Sequence, residues 1–169
     1  LRSYPHSKLA RHLRAQLHTL RARSLGLEKK DPNPSLQAAL ADFNTLRQQS
    51  PQNLNLTGEI AEIHRLIGHL REIEGKDPTP HFREAIGELK QLIVQQPKNA
   101  PAWRSWAGCC LLLAQYYART QNPNARSTVE YALEGYRRAV ELRPSLKAQI
   151  SKEQKRAIQL QKNLEVKPR

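Results

Sequence analysis

Two proline markers recur along the chain at one spacing. An Asp-Pro-x-Pro element occupies residues 31–34 and 77–80, and a related Asn-Pro-Asn-Ala stretch follows at residues 122–125, so the steps are 46 and 45 residues. A second proline marker recurs at positions 51, 97 and 144, with steps of 46 and 47 residues. Because two independent markers share one period, the sequence predicts three copies of a single structural unit.

The segments between the markers have the periodicity of helices. Residues 35–50, 81–96 and 128–143 align without a gap and place apolar or small residues at spacings of 3, 1, 3 and 3, which is one face of an α-helix. A longer amphipathic segment precedes each of them, at residues 7–25, 57–74 and 102–119. Gly26 and Gly75 follow the first two long segments and predict left-handed C-caps.

These patterns predict an all-α fold within one domain, residues 1–169. Its repeats run over about residues 7–51, 57–97 and 102–144, and each consists of a long helix, a proline-rich loop and a shorter helix. One such hairpin cannot bury its own apolar face, so three are expected to stack around a shared core. Residues 145–166 carry one apolar stripe among Lys, Gln and Arg residues, which is typical of a terminal capping helix.

The third unit has the most informative motif. Its markers are Trp103, Trp106 and Ala107 in the first helix, and Ala132, Tyr136, Ala139 and Pro144 in the second. This order of large and small residues resembles the tetratricopeptide repeat (TPR) family, although each unit is about a dozen residues longer than the usual repeat. The long variant is similar to the repeat arrays of bacterial serine/threonine kinases and related signalling proteins. The resemblance implies a right-handed α-solenoid of three TPR-like hairpins plus a C-terminal capping helix.

The resemblance also implies where a partner binds. In this family the concave face is lined by the first helix of each hairpin and holds a peptide or a partner domain. The positions of this chain that match the concave face are His12, Gln16, Thr19, Glu62, Arg65, Arg104 and Leu111. Some members hold a terminal carboxylate with a clamp of Lys, Asn and Arg, but here Gly108 replaces the asparagine, so we expect the clamp to be absent.

Positive charge is concentrated at the two ends of the chain. Residues 1–30 carry a net charge of +7, residues 145–169 carry +5, and the residues between them carry +1. The most prominent cations are Arg11, Arg14, Arg21, Arg23, Lys152, Lys155 and Arg156. The charge is consistent with solubility of two terminal helices, or with an acidic partner such as nucleic acid, an anionic membrane surface or an acidic region of the parent chain. Nucleic acid is the less favoured partner because the basic stretches lack interleaved aromatic residues.

Several kinds of chemistry are not indicated by the sequence. It contains no Gly-rich phosphate loop and no motif of a hydrolase or a metalloprotease, so we expect no catalytic residue and no cofactor. Its six histidines lack the i, i+4 spacing of a helical metal site. The adjacent Cys109 and Cys110 are predicted to be buried thiols, which favours a reducing, cytoplasmic location. No apolar run approaches the roughly 20 residues of a membrane span.

The sequence therefore predicts a non-catalytic scaffold for protein–protein interaction. We expect it to be a regulatory module of a larger bacterial signalling protein, and the absence of Met suggests a piece of a longer polypeptide. The alternatives from other functional classes are a basic helical-repeat module that binds nucleic acid, and an architectural or dimerisation segment.

Overall fold

The structure, a computed structural model, describes residues 7–166, and the regular secondary structure of these residues is entirely helical. Its elements are α1 (Lys8–Leu27), α2 (Asn33–Gln49), α3 (Leu54–Ile73), α4 (Thr79–Gln95), α5 (Ala100–Arg119), α6 (Ala125–Leu142) and α7 (Leu146–Val166). The described residues contain no β-strand, so the prediction of an all-α fold is confirmed. No helix in this range has the length and apolar character that crossing a membrane requires.

The helix boundaries follow the period of the sequence. Helices α1, α3 and α5 are each 20 residues long and begin at residues 8, 54 and 100, which are 46 residues apart. Helices α2, α4 and α6 begin at residues 33, 79 and 125, again 46 residues apart. The predicted helices are therefore present, with ends that differ from the predicted ones by a few residues.

Each long helix starts at a side-chain cap in the same register. Ser7, Asn53 and Asn99 occupy the position before α1, α3 and α5, and in each case the side-chain oxygen accepts a hydrogen bond from a backbone N–H of the first turn. The three donor–acceptor distances are 3.4, 3.2 and 3.0 Å. Because the first N–H groups of a helix have no partner within the helix, these caps define where the long helices begin.

Each long helix also ends in the same way. Lys29, Gly75 and Gln121 have φ values of 56°, 70° and 55°, so the left-handed residue recurs every 46 positions. The following backbone N–H then donates to a carbonyl five residues back at 2.8 Å, from residue 30 to 25, 76 to 71 and 122 to 117. The C-cap at Gly75 is confirmed. The C-cap predicted at Gly26 is wrong, because this closing hydrogen bond puts Lys29 in the left-handed position and leaves Gly26 inside α1.

The Asp-Pro-x-Pro element forms the joint between the two helices of a unit. Its first side chain accepts a hydrogen bond from the backbone N–H two residues later, at 2.9 Å in all three copies: Asp31 from Asn33, Asp77 from Thr79, and Asn122 from Asn124. This local bond turns the chain into the shorter helix. A shared joint explains why the related Asn122 stretch can replace the full element.

The chain divides into two compact units, Leu1–His81 and Phe82–Arg169, which we call the N-terminal and C-terminal units. The prediction of one domain over residues 1–169 did not anticipate this division. In the N-terminal unit, α1 and α2 run antiparallel, because Nζ of Lys8 at the start of α1 donates to the carbonyl of Gln49 at the end of α2 at 2.9 Å. Its core combines large side chains of α2 and α3 with Ala15 and Ala22 of α1.

The core of the C-terminal unit is built from α4, α5, α6 and α7. Phe82 of α4 packs with Leu113 and Tyr117 of α5, while a second cluster joins Tyr136 of α6 to Ile150 of α7 and to residues of α5. Cys109 and Cys110 are buried thiols that form no disulfide, as predicted. Burial raises the pKa of the Cys110 thiol, with a smaller contribution from Cys109, so this thiol is held in its unreactive form.

Candidate partner-binding surface

Three of the predicted binding residues lie on the packed side of α1. The half-buried His12 ring is edge-on to the ring of Phe43, with 5.8 Å between ring centroids. The Gln16 amide donates to the Glu59 carboxylate of α3 at 3.5 Å. Thr19 is buried, and its hydroxyl donates to the Ala15 carbonyl of its own helix at 3.0 Å. The prediction for Thr19 is therefore corrected, since its polar group is already used and is shielded from any partner.

Glu62 and Arg65 form one ionic cluster with a residue of α1. Arg65 donates twice to the Glu62 carboxylate at 2.7 Å, and Arg23 adds a third contact at 2.8 Å. Burial raises the pKa of the Glu62 carboxyl, but the hydrogen bonds and charges of Arg65 and Arg23 outweigh it and the net shift is downward. The structure thus brings two predicted binding residues together with one residue of the basic end.

The two predicted positions in α5 are in contact with the chain itself. Arg104 is half-buried, and its guanidinium donates to the Gln149 side chain of α7 at 3.1 Å. Leu111 is buried in the cluster around Tyr136 and Ile150. The prediction for Leu111 is corrected, because a side chain enclosed by its own unit cannot contact a partner. The last helix therefore engages the part of α5 that was expected to face a partner.

Much of the positive charge on α1 is balanced within the N-terminal unit. Arg14 donates to both carboxylate oxygens of the buried Asp42 at 2.7 and 2.6 Å, and Arg11 approaches the same group at 3.3 Å. The hydrogen bond from Arg14 lowers the pKa of the Asp42 carboxyl and outweighs the opposing effect of burial. Arg23 holds Glu62, and Arg21 is exposed. The linear count of charge overstated what α1 offers to an acidic partner.

The basic residues of the last helix are exposed. Lys152, Lys155 and Arg156 lie on the solvent-facing side of α7, away from its buried residues Ile150 and Ala157. This arrangement is what a helix that closes a core requires, with one apolar face packed and one charged face in water.

The other terminal helix has the opposite character. Five leucines on one face of α1, which we call the leucine stripe, are between 50% and 89% exposed: Leu9, Leu13, Leu17, Leu20 and Leu27. Successive residues of an α-helix are rotated by about 100°, so these five lie within an arc of about 80°. Ala15 and Ala22, which pack into the core, lie on the opposite side. Helix α1 therefore turns small side chains inward and large apolar side chains outward.

One position of this face is buried in both of the other repeats. At the 46-residue period, Leu17 aligns with Ile63 and Cys109, and these are 65%, 0% and 1% exposed respectively. Ile63 belongs to the core cluster that contains Leu36 and Phe43 of α2. The position of Leu17 is therefore a helix-packing position of the repeat, and on α1 it is open within the described residues, whereas Ile73, which aligns with Leu27, is itself 71% exposed.

Sequence reasoning missed the leucine stripe, although a signal for it was present. The alignment of α1 with α3 and α5 at 46 residues places Ala15 with Ala61 and Ala107, which are all fully buried or nearly so. This alignment identifies the alanine face as the core face and places the leucines of α1 on the opposite side, although it pairs Leu17 with the buried Ile63.

The described residues were also compared with the requirements of a metal site, and the chain with known families and curated proteins. Within residues 7–166 there is no group of three or more His, Cys, Asp or Glu side chains that could hold a metal ion. No known family model matches this chain, and no curated protein matches it. The resemblance to tetratricopeptide repeats stays a prediction from the sequence.

Proposed function

We propose that this chain is a non-catalytic scaffold that binds another protein. In this proposal its hairpins stack as a right-handed TPR-like α-solenoid closed by α7, within a larger bacterial signalling protein of the cytoplasm. The 46-residue recurrence of helices, caps and joints supports a repeat array. Two buried cysteines that form no disulfide are compatible with a reducing compartment.

The observation that carries the proposal is the leucine stripe. Large apolar side chains that form a continuous exposed face mark interaction sites, whereas scattered single ones do not. Leu9, Leu13, Leu17 and Leu20 are each half or more exposed, and covering them would recover roughly 1–2 kcal/mol per side chain. That gain is comparable with the entropic cost of association, so polar or charged contacts beside the leucine stripe must contribute to a specific complex.

The test is a quantitative capture of partners from lysate of the source cells. Immobilised wild-type chain is compared with the double variant Leu13→Ser, Leu17→Ser, which interrupts the leucine stripe at exposed positions and is expected to fold. Val94→Ser provides a matched control, since Val94 is a similarly exposed apolar residue of α4. We expect proteins that are retained by the wild type and the control and are lost from the double variant. Identical sets of retained proteins on all three would refute the proposal.

Ion pairing within the N-terminal unit counts against the nucleic-acid alternative. Three of the four arginines singled out in α1 already hold carboxylates, which leaves fewer cations to replace the counterions of a phosphate backbone. Filter binding at two salt concentrations separates the two functions. Tight binding of nucleic acid that persists near physiological salt would favour the alternative.

A further inference from the structure

We propose that the leucine stripe is the docking site for an amphipathic helix of a partner protein, and that this helix carries acidic residues on both flanks of its apolar seam. This inference rests on the proposed function and specifies the chemistry of the partner. It is carried by the repeat register, the spacing of the leucines and the charge of α1.

The repeat register indicates that the occupant is a helix. In the N-terminal unit, α2 packs on α3 and encloses Ile63, which occupies the position of Leu17 in the preceding copy. At the position of Leu17 the repeat therefore already accommodates a neighbouring helix. A partner helix on α1 would reproduce a packing that the chain already uses.

The spacing of the leucines indicates the same geometry. The intervals between successive leucines are four, three and seven residues, for Leu13, Leu17, Leu20 and Leu27. Ser24 divides the last interval into four and three residues. These intervals are those of the a and d positions of a heptad, the narrow seam along which two helices pack. A face that inserts into a lipid surface is usually wider and carries aromatic side chains, and the leucine stripe contains none.

The positive charge of α1 favours acidic residues on both flanks of the apolar seam of the partner helix. The helix carries five cations and no acidic residue, namely Lys8, Arg11, Arg14, Arg21 and Arg23. Arg14 and Arg21 border one side of the leucine stripe, and Arg23 borders the other. Arg14 and Arg23 hold carboxylates within the unit, although their side chains remain 54% and 51% exposed, whereas Arg21 is exposed. Carboxylates on the partner would meet these donors on both sides.

The same charges disfavour a second copy of the chain as the occupant. In a parallel pair of α1 helices, the flank with Arg23 would face the flank with Arg21. In an antiparallel pair, the flank with Arg14 and Arg21 would face its own copy. Both orientations bring arginines together across the seam, which costs free energy and selects against self-association.

The inference is tested with synthetic helical peptides and the full chain. One labelled peptide has Leu at the a and d positions and Glu at the flanking e and g positions, and a second has Lys in place of Glu. Fluorescence anisotropy is expected to show the acidic peptide binding at least about tenfold more tightly than the basic one. Leu17→Glu should weaken binding of the acidic peptide by about tenfold or more, and Arg21→Glu should reduce the preference between the peptides. Val94→Glu is the control and should match the wild type, with circular dichroism verifying that all variants fold.

Several results would overturn the inference. These are equal affinity for the two peptides, binding of neither, binding unaffected by Leu17→Glu, a wild-type dimer in sedimentation that Leu17→Glu dissociates, or stripe-dependent binding to anionic vesicles without peptide binding. The capture experiment keeps the two proposals apart. Stripe-dependent capture without peptide binding would refute only the acidic helix, whereas peptide binding without any stripe-dependent capture would refute only the scaffold function.

Discussion

Removing one buried oxygen from the C-terminal unit is expected to stabilise it. Tyr136 is 1% exposed, and its hydroxyl has no hydrogen-bond partner among the described residues. Burial raises the pKa of this hydroxyl, with a smaller contribution from the nearby charge of Glu153, so it stays protonated at every ordinary pH. A buried hydroxyl without a partner loses its hydration and costs about 1–3 kcal/mol. Tyr136→Phe keeps the ring and removes that cost.

We therefore expect Tyr136→Phe to raise the free energy of unfolding by about 1 kcal/mol, which corresponds to an increase in Tm of about 4–8 °C for a unit of this size. Tyr136→Ala is the matched opposite, because it empties the space that the ring fills between α5, α6 and α7. That variant should lose about 3–5 kcal/mol through cavity formation.

Urea unfolding followed by tryptophan fluorescence measures both effects. The only tryptophans of the chain, Trp103 and Trp106, both belong to α5, so the signal reports on the C-terminal unit. Circular dichroism on the same samples follows both units together. A loss of stability in Tyr136→Phe would refute the reasoning, since it would mean that the hydroxyl makes a stabilising hydrogen bond in solution.

Three further substitutions test packing, backbone conformation and electrostatics. Gly135→Ala should destabilise the C-terminal unit by about 1–2 kcal/mol, because a Cβ there would lie 2.9 Å from Cβ of Ala107. Lys29→Gly should stabilise the N-terminal unit by about 1 kcal/mol, because φ of 56° is strained for a residue with a side chain. Asp42→Asn should cost that unit about 1–3 kcal/mol at neutral pH. Because the pKa of Asp42 is lowered in the folded state, this difference should shrink as the pH falls below about 4. Thermal or urea unfolding measures all three.

Matched variants make these expectations specific. Gly87→Ala in α4 has open space around the new Cβ and should gain up to about 1 kcal/mol, so a similar gain in Gly135→Ala would contradict the close approach of α5 and α6. Gly26→Ala should also be tolerated. A clear decrease in the free energy of unfolding would indicate that the helix cap lies at Gly26. A difference between Asp42→Asn and the wild type that is independent of pH would show that the charge of Asp42 does not stabilise the fold.

The period of the sequence was sufficient to predict the helices. The turn at Asp31 and the caps at Ser7 and Asn53 are local, since each joins residues two or three positions apart, and local hydrogen bonds recur wherever the sequence recurs. The position of the left-handed residue was predicted correctly at Gly75 and wrongly at Gly26. The reason is that the hydrogen bonds that close the loop determine which position is left-handed. In the first copy this position is Lys29, which adopts the left-handed conformation although it has a side chain.

The candidate site was less accessible to sequence reasoning. The ion pair of Arg14 with Asp42 joins residues 28 positions apart on two helices, so it depends on how α1 and α2 pack. The exposure of Leu17 likewise depends on which face of α1 meets the core. A helix that carries alanines on one side and leucines on the other suggests the leucines as the core. Its alignment with α3 and α5 shows that the alanine side is buried, but it also pairs Leu17 with the buried Ile63, so the sequence does not give the exposure of Leu17.

Each copy of the repeat carries its own start signal and its own stop signal. A segment taken from one capping residue, such as Asn53, to the residue before the next, Asn99, ends where an equivalent segment begins. Tandem duplication of that segment would recreate a matching junction on both sides. The gene can therefore lengthen or shorten the protein by whole copies in a single recombination event, whereas an insertion between a capping residue and its first helical turn would separate the cap from its helix.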